Sequence, residues 1–244
     1  VTNFKAVIQY DGTNYSGWQI QPNRVTIQGT LQQTLHKITE EKVTIHASGR
    51  TDAGVHALGQ VASFKLEKVM KAPLLQSALN SLLPQDIRII HLDKAPDEFN
   101  ARYNANSKEY QYQIFAGKVL SPFLYKYFYH FPVELDIAEM KKAAQKFIGE
   151  HDFSAFKSAE SSCKNYVRKV FQSDIVSNED IIYYIVVANG FMHYMVRTMV
   201  GTLIEVGRGK IAAEQIEKII TSKNRAKAGA TAPPQGLFLI KVNY

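Results

Sequence analysis

Stretches that alternate apolar and polar residues with a period of two run from the first residues of this chain to its last. "FKAVIQY" (Phe4–Tyr10), "DIRIIHL" (Asp86–Leu92), "KEYQYQIF" (Lys108–Phe115), "DIIYYIVVA" (Asp180–Ala188) and "GLFLIKV" (Gly236–Val242) are the clearest. Such alternation marks strands with one buried and one wetter face, which pair antiparallel and need a layer to cover the apolar side. That layer is written between them. Ile27, Leu31, Leu35 and Ile38 share one helical face, "LDIAEMKKAAQKFIG" reads as a helix with Gly149 at its end, and Met195, Val196, Met199, Val200, Leu203 and Ile204 fall at helical spacing. A short helix opens at Pro73 and closes at Pro84, while "YVRKVFQSDIV" and "DIIYYIVVA" read as a hairpin around "SNED". The expectation is an α+β fold with helices on one face of a sheet. Its polar stretch "DKAPDEFNARYNANS" divides the chain into halves of residues 1–105 and 106–244. The halves mix strands and helices in the same way but show no residue-level repeat.

The 244 residues suffice for one large domain or two ordinary ones, each with a buried core. With 29 Lys plus Arg against 22 Asp plus Glu, the chain carries a formal charge of +7, which suggests a polyanionic partner, nucleic acid first. Cys163 is the single cysteine, so no intrachain disulfide forms and a reducing compartment fits. There is no run of about eighteen apolar residues, and the strand pattern begins at Phe4. A cytoplasmic protein without a signal peptide is therefore expected, with no membrane partner.

Between two of the strand patterns lies "SGRTDAGVHA" (Ser48–Ala57), which gathers Arg50, Asp52 and His56 among residues too small to pack. Gly49 and Gly54 give the backbone freedom there, and loops fixed at both ends by strands often carry chemistry. An ordinary turn with Asp52 capping backbone N–H groups is the plainer reading. Other chemistries find no support. The histidines are scattered with no metal-ligand spacing, "GRGK" at 207–210 lacks the features of a phosphate loop, and "YDGTNYSG" has the wrong glycine spacing for a dinucleotide site. An isolated Cys163 is more often a packing residue than a nucleophile. What remains is cofactor-free chemistry by a carboxylate.

Three further groups could join Asp52. Arg197 stands in an otherwise apolar helix, with Gly201 one turn on, so that face pairs a long cation with room for another element to approach. A buried arginine needs a carboxylate partner, and Asp52 is one candidate. Tyr110 and Tyr112 lie on one face of their strand with Ile114; such tyrosines are core residues with a wet tip, or platforms on which a base stacks. The clusters Lys164, Arg168, Lys169 and Lys223, Arg225, Lys227 are either solvated faces or phosphate contacts.

"GRTDAGVHA" resembles the catalytic-aspartate motif of the tRNA pseudouridine synthase A family. "YDGTNYSGWQIQ", "NARYNANSKEYQYQI", "NGFMHYMVRTMVGTLIEVG" and "GATAPPQGLFL" resemble the same family in the same order. The resemblance spans nearly the whole chain and is weaker around "AGKVLSPFLYKYFYH". It implies two related α+β halves around an extended antiparallel sheet, with an active-site cleft between them. It also implies a homodimer needing neither metal nor cofactor, acting on tRNA and not on DNA. By motif, Asp52 would be the nucleophile with Arg50 beside it, Tyr110 would contact the target base and Arg197 would pair with the aspartate. The reaction implied is isomerisation of uridine to pseudouridine at positions 38 to 40 of the anticodon stem-loop, by attack of the carboxylate on C1′ or on C6. A non-catalytic RNA-binding protein and a glycosidase using Asp11 or Glu205 as second acid are the competing readings.

Overall fold

A computed structural model of the chain describes residues 1–158 and 165–244; Cys163 and Lys164 lie outside the described residues. The chain divides into two compact units, Val1–Asn106 with Phe238–Tyr244, and Ser107–Leu237. Among the described residues are ten strands and five α-helices, an α+β fold with mixed strand pairing. No helix of the described residues is long and apolar enough to cross a membrane.

In the first unit, β1 (Thr2–Tyr10) pairs antiparallel with β3 (His56–Leu66) on one side and β4 (Ile87–Lys94) on the other. The alternation of β1 is realised as written, with Phe4, Ala6, Ile8 and Tyr10 all buried. Each large apolar side chain so buried contributes about 1.5–3 kcal/mol. β2 (Ile45–Ala47) adds antiparallel to β3, and β10 (Leu237–Asn243) adds in parallel through Phe238 opposite His56. α1 (Ile27–Thr39) starts where the Thr26 hydroxyl accepts from the Gly29 N–H, and it buries Ile27, Leu31 and Leu35. α2 (Ala72–Leu82) has Pro73 in its first turn and packs on β4 and α1. It stops at Leu83, which the following Pro84 holds extended at ψ 144°. The polar stretch after β4 is tied down: Asn3 Nδ2 donates to the carbonyls of Pro96 and Phe99 at 2.7 and 2.9 Å, and Tyr244 Oη donates to Ala101 O at 2.8 Å.

The second unit orders its strands β5 (Ser107–Phe115), β9 (Ile181–Ala188), β8 (Val167–Asn178), β7 (Gly149–Asp152), all antiparallel. β6 (Tyr129–His130) lies parallel to β5. One sheet face is buried: Tyr110, Tyr112 and Ile114 of β5 stand opposite Val186, Tyr184 and Ile182 of β9. α3 (Ile137–Gln145), capped by Asp136, packs on β8 and on α4 (Met195–Gly207). All six apolar residues expected on the α4 face are buried. α5 (Gln215–Ser222) packs on β7. The hairpin turns at Glu179, in the left-handed region at φ 50°. Gly149 does not cap α3; it opens β7 at φ 116°. The parallel pairs β3–β10 and β5–β6 depart from the antiparallel expectation; neither pair is joined by a hairpin, which alone would require antiparallel pairing.

Candidate active site

The Asp52 loop, residues 48–55, joins β2 to β3 and is held from beneath by buried polar groups of its own unit. Gln60 of β3 is fully buried; its Oε1 accepts from Ser48 Oγ at 2.8 Å and its Nε2 donates to Gly49 O at 3.0 Å. Thr51 is held twice, with Oγ1 2.8 Å from Tyr10 Oη and its carbonyl accepting from Trp18 N at 3.0 Å. Burial pushes the Tyr10 hydroxyl up to about 12, opposed in part by its bonds to Thr51 and Gln60, so it stays protonated. Gly54 takes φ 76° and donates its N–H to Tyr15 O at 3.3 Å, and Val55 N reaches back to Asp52 O at 3.2 Å. The turn therefore fixes the backbone on both sides of Asp52. The Asp52 side chain is half-buried, and its neighbours Arg50 and Ala53 are exposed.

The glycines of "DGTNYSGW" make this possible. A Cβ on Gly12 would sit 2.0 Å from Val55 O, and one on Gly17 would sit 2.7 Å from Thr51 O. Gly17 is also at φ 85°. The N-terminal loop thus lies backbone against backbone with the Asp52 loop, a role for these glycines that their spacing in the sequence does not announce. His56 closes the arrangement from β3: it is buried, stacks on Phe238 with ring centroids 4.6 Å apart, and its Nδ1 accepts from Gly12 N at 3.0 Å and lies 3.2 Å from Asp11 Oδ1. Asp11 Oδ1 accepts from Thr13 N at 2.9 Å and from Thr13 Oγ1 at 2.5 Å, and Glu205 is engaged with Arg208 at 2.9 Å and Lys210 at 3.3 Å. Both suggested second acids of a glycosidase serve as local structural partners.

In the second unit Arg197 occupies the first turn of α4, whose N-terminal boundary is Tyr194 in the left-handed region at φ 64°. The guanidinium lies over the Tyr194 ring at 4.6 Å, and its Nε donates to Ala232 O at 2.7 Å. Ala232 N returns a bond to Arg197 O at 3.0 Å. The segment carrying Ala232 crosses α4 at Gly201, where a Cβ would meet Ala230 O at 1.7 Å. The close approach expected at Gly201 is made by this segment. Tyr112 is core: it is fully buried and donates to Pro233 O at 2.7 Å, with burial raising its hydroxyl pKa well above 10 despite the Arg197 charge. Tyr110 is 6% exposed, its ring edge-on to Phe191 at 5.1 Å.

The cluster of Lys223, Arg225 and Lys227 is not uniformly solvated. Arg225 does not stand in solvent; its guanidinium donates to Gly229 O at 2.9 Å and to Thr231 Oγ1 at 3.1 Å, pinning the segment that crosses α4. Lys223 pairs with Asp152 at 2.9 Å, and Lys227 is exposed. In the other cluster Arg168 folds back on the carbonyls of Asn165 and Val167 at 2.9 and 2.6 Å.

The first unit thus presents a half-buried carboxylate on a loop whose backbone is clamped on both sides, with Ala53 and Gly54 directly after it, in an α+β protein. Comparison with known proteins gives the family. The chain matches the tRNA pseudouridine synthase family over residues 6–104 and 143–244. It is 49% identical to the tRNA pseudouridine synthase A of Thermoanaerobacter sp. (strain X514) over 99% of each chain. It is 46% identical to that of Caldicellulosiruptor saccharolyticus, again over 99% of each, and 45% identical to that of Geotalea uraniireducens over 98% of each. This chain belongs to the tRNA pseudouridine synthase family. Among solved structures it is similar to a chain of a Cbf5-Nop10-Gar1 complex, at 16% identity and TM-score 0.34 over 82% of this chain and 54% of that one, a likeness too slight to carry an argument.

Proposed function

We propose that this protein isomerises uridine to pseudouridine at positions 38, 39 and 40 of the tRNA anticodon stem-loop, with Asp52 as the nucleophile. The observation that carries the reading is near-full-length identity of up to 49% to proteins named tRNA pseudouridine synthase A. The loop geometry supports it. Pseudouridine formation breaks the N1–C1′ bond, turns the uracil and joins C5 to C1′; the C5 proton leaves and N1 ends protonated. An ionised carboxylate supplies the covalent step, by attack on C1′ or on C6. Asp52 suits the task because its backbone is clamped while its side chain keeps partial exposure. Its small neighbours admit a nucleotide flipped from its stack, a step that costs a few kcal/mol.

Arg50, exposed two residues before Asp52, stands beside the nucleophile as part of the catalytic group in this proposal. Arg197 keeps the nucleophile ionised, since an adjacent cation lowers an aspartate pKa by about 1–3 units. Tyr110 contacts the target base. The enzyme works in the cytoplasm as a homodimer and needs neither metal nor cofactor; on tRNA folded beforehand, its rate should be unchanged with EDTA present in the assay. The deciding experiment is tritium release from tRNA transcript labelled at uracil C5. Catalytic release identifies pseudouridine formation, whereas binding or simple glycosidic hydrolysis retains the label, and retention would refute the proposal.

A further inference from the structure

The connection from β5 to β6 and α3 falls between the two segments that match the family, and it presents apolar side chains outward. Phe123 is 86% exposed, Val119 83% and Tyr125 58%. Such exposure of a phenylalanine normally follows from a floppy loop, yet this one is built. Phe128 is buried beneath it, and Leu124 O accepts from Tyr127 N at 2.8 Å and Phe128 N at 3.1 Å. The neck is closed where Ala116 N donates to Asp180 O and Phe131 N to Phe115 O, each at 2.8 Å, with His130 Nε2 2.9 Å from Gly117 O. A preorganised loop loses little entropy on binding.

Its chemistry selects the occupant. The outward part of the connection, residues 116–133, carries Lys118 and Lys126 with Phe123 and Tyr125 between them, and its two acids, Glu134 and Asp136, come after it at the foot of α3, where Asp136 caps the helix. Cations interleaved with aromatic faces match a polyanion that offers bases to stack on. We propose that the Lys118–Lys126 loop is a second tRNA-binding surface, on which Phe123 and Tyr125 stack on unpaired bases while the lysines meet phosphates. The inference rests on the reading of tRNA as substrate.

The test is the affinity of the full-length protein for tRNA transcript, measured by filter binding at fixed salt. Removing the stacking faces in the F123A/Y125A variant should raise Kd by at least about fivefold, the weak end of single-base stacking. Phe123→Trp, which keeps an aromatic face, should retain wild-type Kd, and Phe123→Leu, which keeps apolar area only, should lose affinity. Unchanged Kd in F123A/Y125A, or wild-type Kd in F123L, would overturn the proposal. So would a change in sedimentation of F123A/Y125A, which would make the loop a contact between protein chains. Binding is read separately from tritium release, so a wild type that binds tRNA but releases no tritium would sink the reaction and leave this surface standing.

Discussion

Arg197 stands in an apolar helix and Arg225 in a basic segment, and the fold uses the two cations differently. Arg225 is spent on the carbonyl of Gly229 and the hydroxyl of Thr231, so Arg225→Ala should lower stability by about 1–3 kcal/mol, read as a lower Tm. Lys227→Ala should leave Tm unchanged and flatten the log–log salt dependence of tRNA binding by up to about 0.9, the value of one phosphate contact. A Tm loss in the lysine variant and none in the arginine variant would reverse these assignments. Arg197 commits its Nε to Ala232 O and its plane to Tyr194, which fixes the orientation of its remaining donors. Lysine cannot reproduce a planar fork held in this way. Arg197→Lys should therefore lower kcat by about a hundredfold, the scale of a 1 Å misplacement. Near-wild-type turnover would remove Arg197 from the proposed pairing with Asp52.

At the scale of elements, the two loops that meet in the first unit are held by what their glycines omit. Gly17→Ala must push Thr51 O from 2.7 Å while straining φ 85°, and Thr51 immediately precedes Asp52. It should cost about 1–3 kcal/mol in stability and reduce single-turnover tritium release more than it reduces tRNA affinity. Equal losses in binding and turnover would show that the loop contact does not position the nucleophile. Much of this level was legible in the sequence. The period-two and helical patterns located β1, β5, β9, α1 and α4, because each has one buried face, and the missing side chain at Gly201 announced a crossing. Gln60 was not legible, since a glutamine in a strand reads as solvent-facing and nothing local shows that a loop folds over it. Nor was the return of β10 to the first unit: alternation identifies a strand but says nothing of its partner. Arg225 escaped for a similar reason, its acceptors being backbone carbonyls that any sequence supplies.

For the whole molecule, charge and buried hydroxyls set the response to solution conditions. Tyr10 has its pKa pushed up to about 12 by burial, against 10.0 for the exposed side chain, and burial also raises those of Tyr112, Tyr184 and Tyr244. Below pH 10 both folded and unfolded chains hold these hydroxyls neutral, so their contribution is fully present. Above it only the unfolded chain ionises freely, and stability is lost as pH climbs from about 10 toward 12. Chemical denaturation followed across that range should show a falling midpoint, and a flat profile would mean the tyrosines are not buried as described.

The central claim concerns one carboxylate, and Asp52→Asn tests it most directly because the amide keeps the shape of the side chain and removes its capacity as nucleophile. The measurement is single-turnover tritium release from C5-labelled tRNA transcript with enzyme in excess, alongside the Kd of the same preparation. The account predicts no release above background and a Kd within a few-fold of wild type, since affinity resides mostly in phosphate contacts elsewhere. Release by the asparagine enzyme at a substantial fraction of the wild-type rate, with tRNA bound equally well, would contradict it.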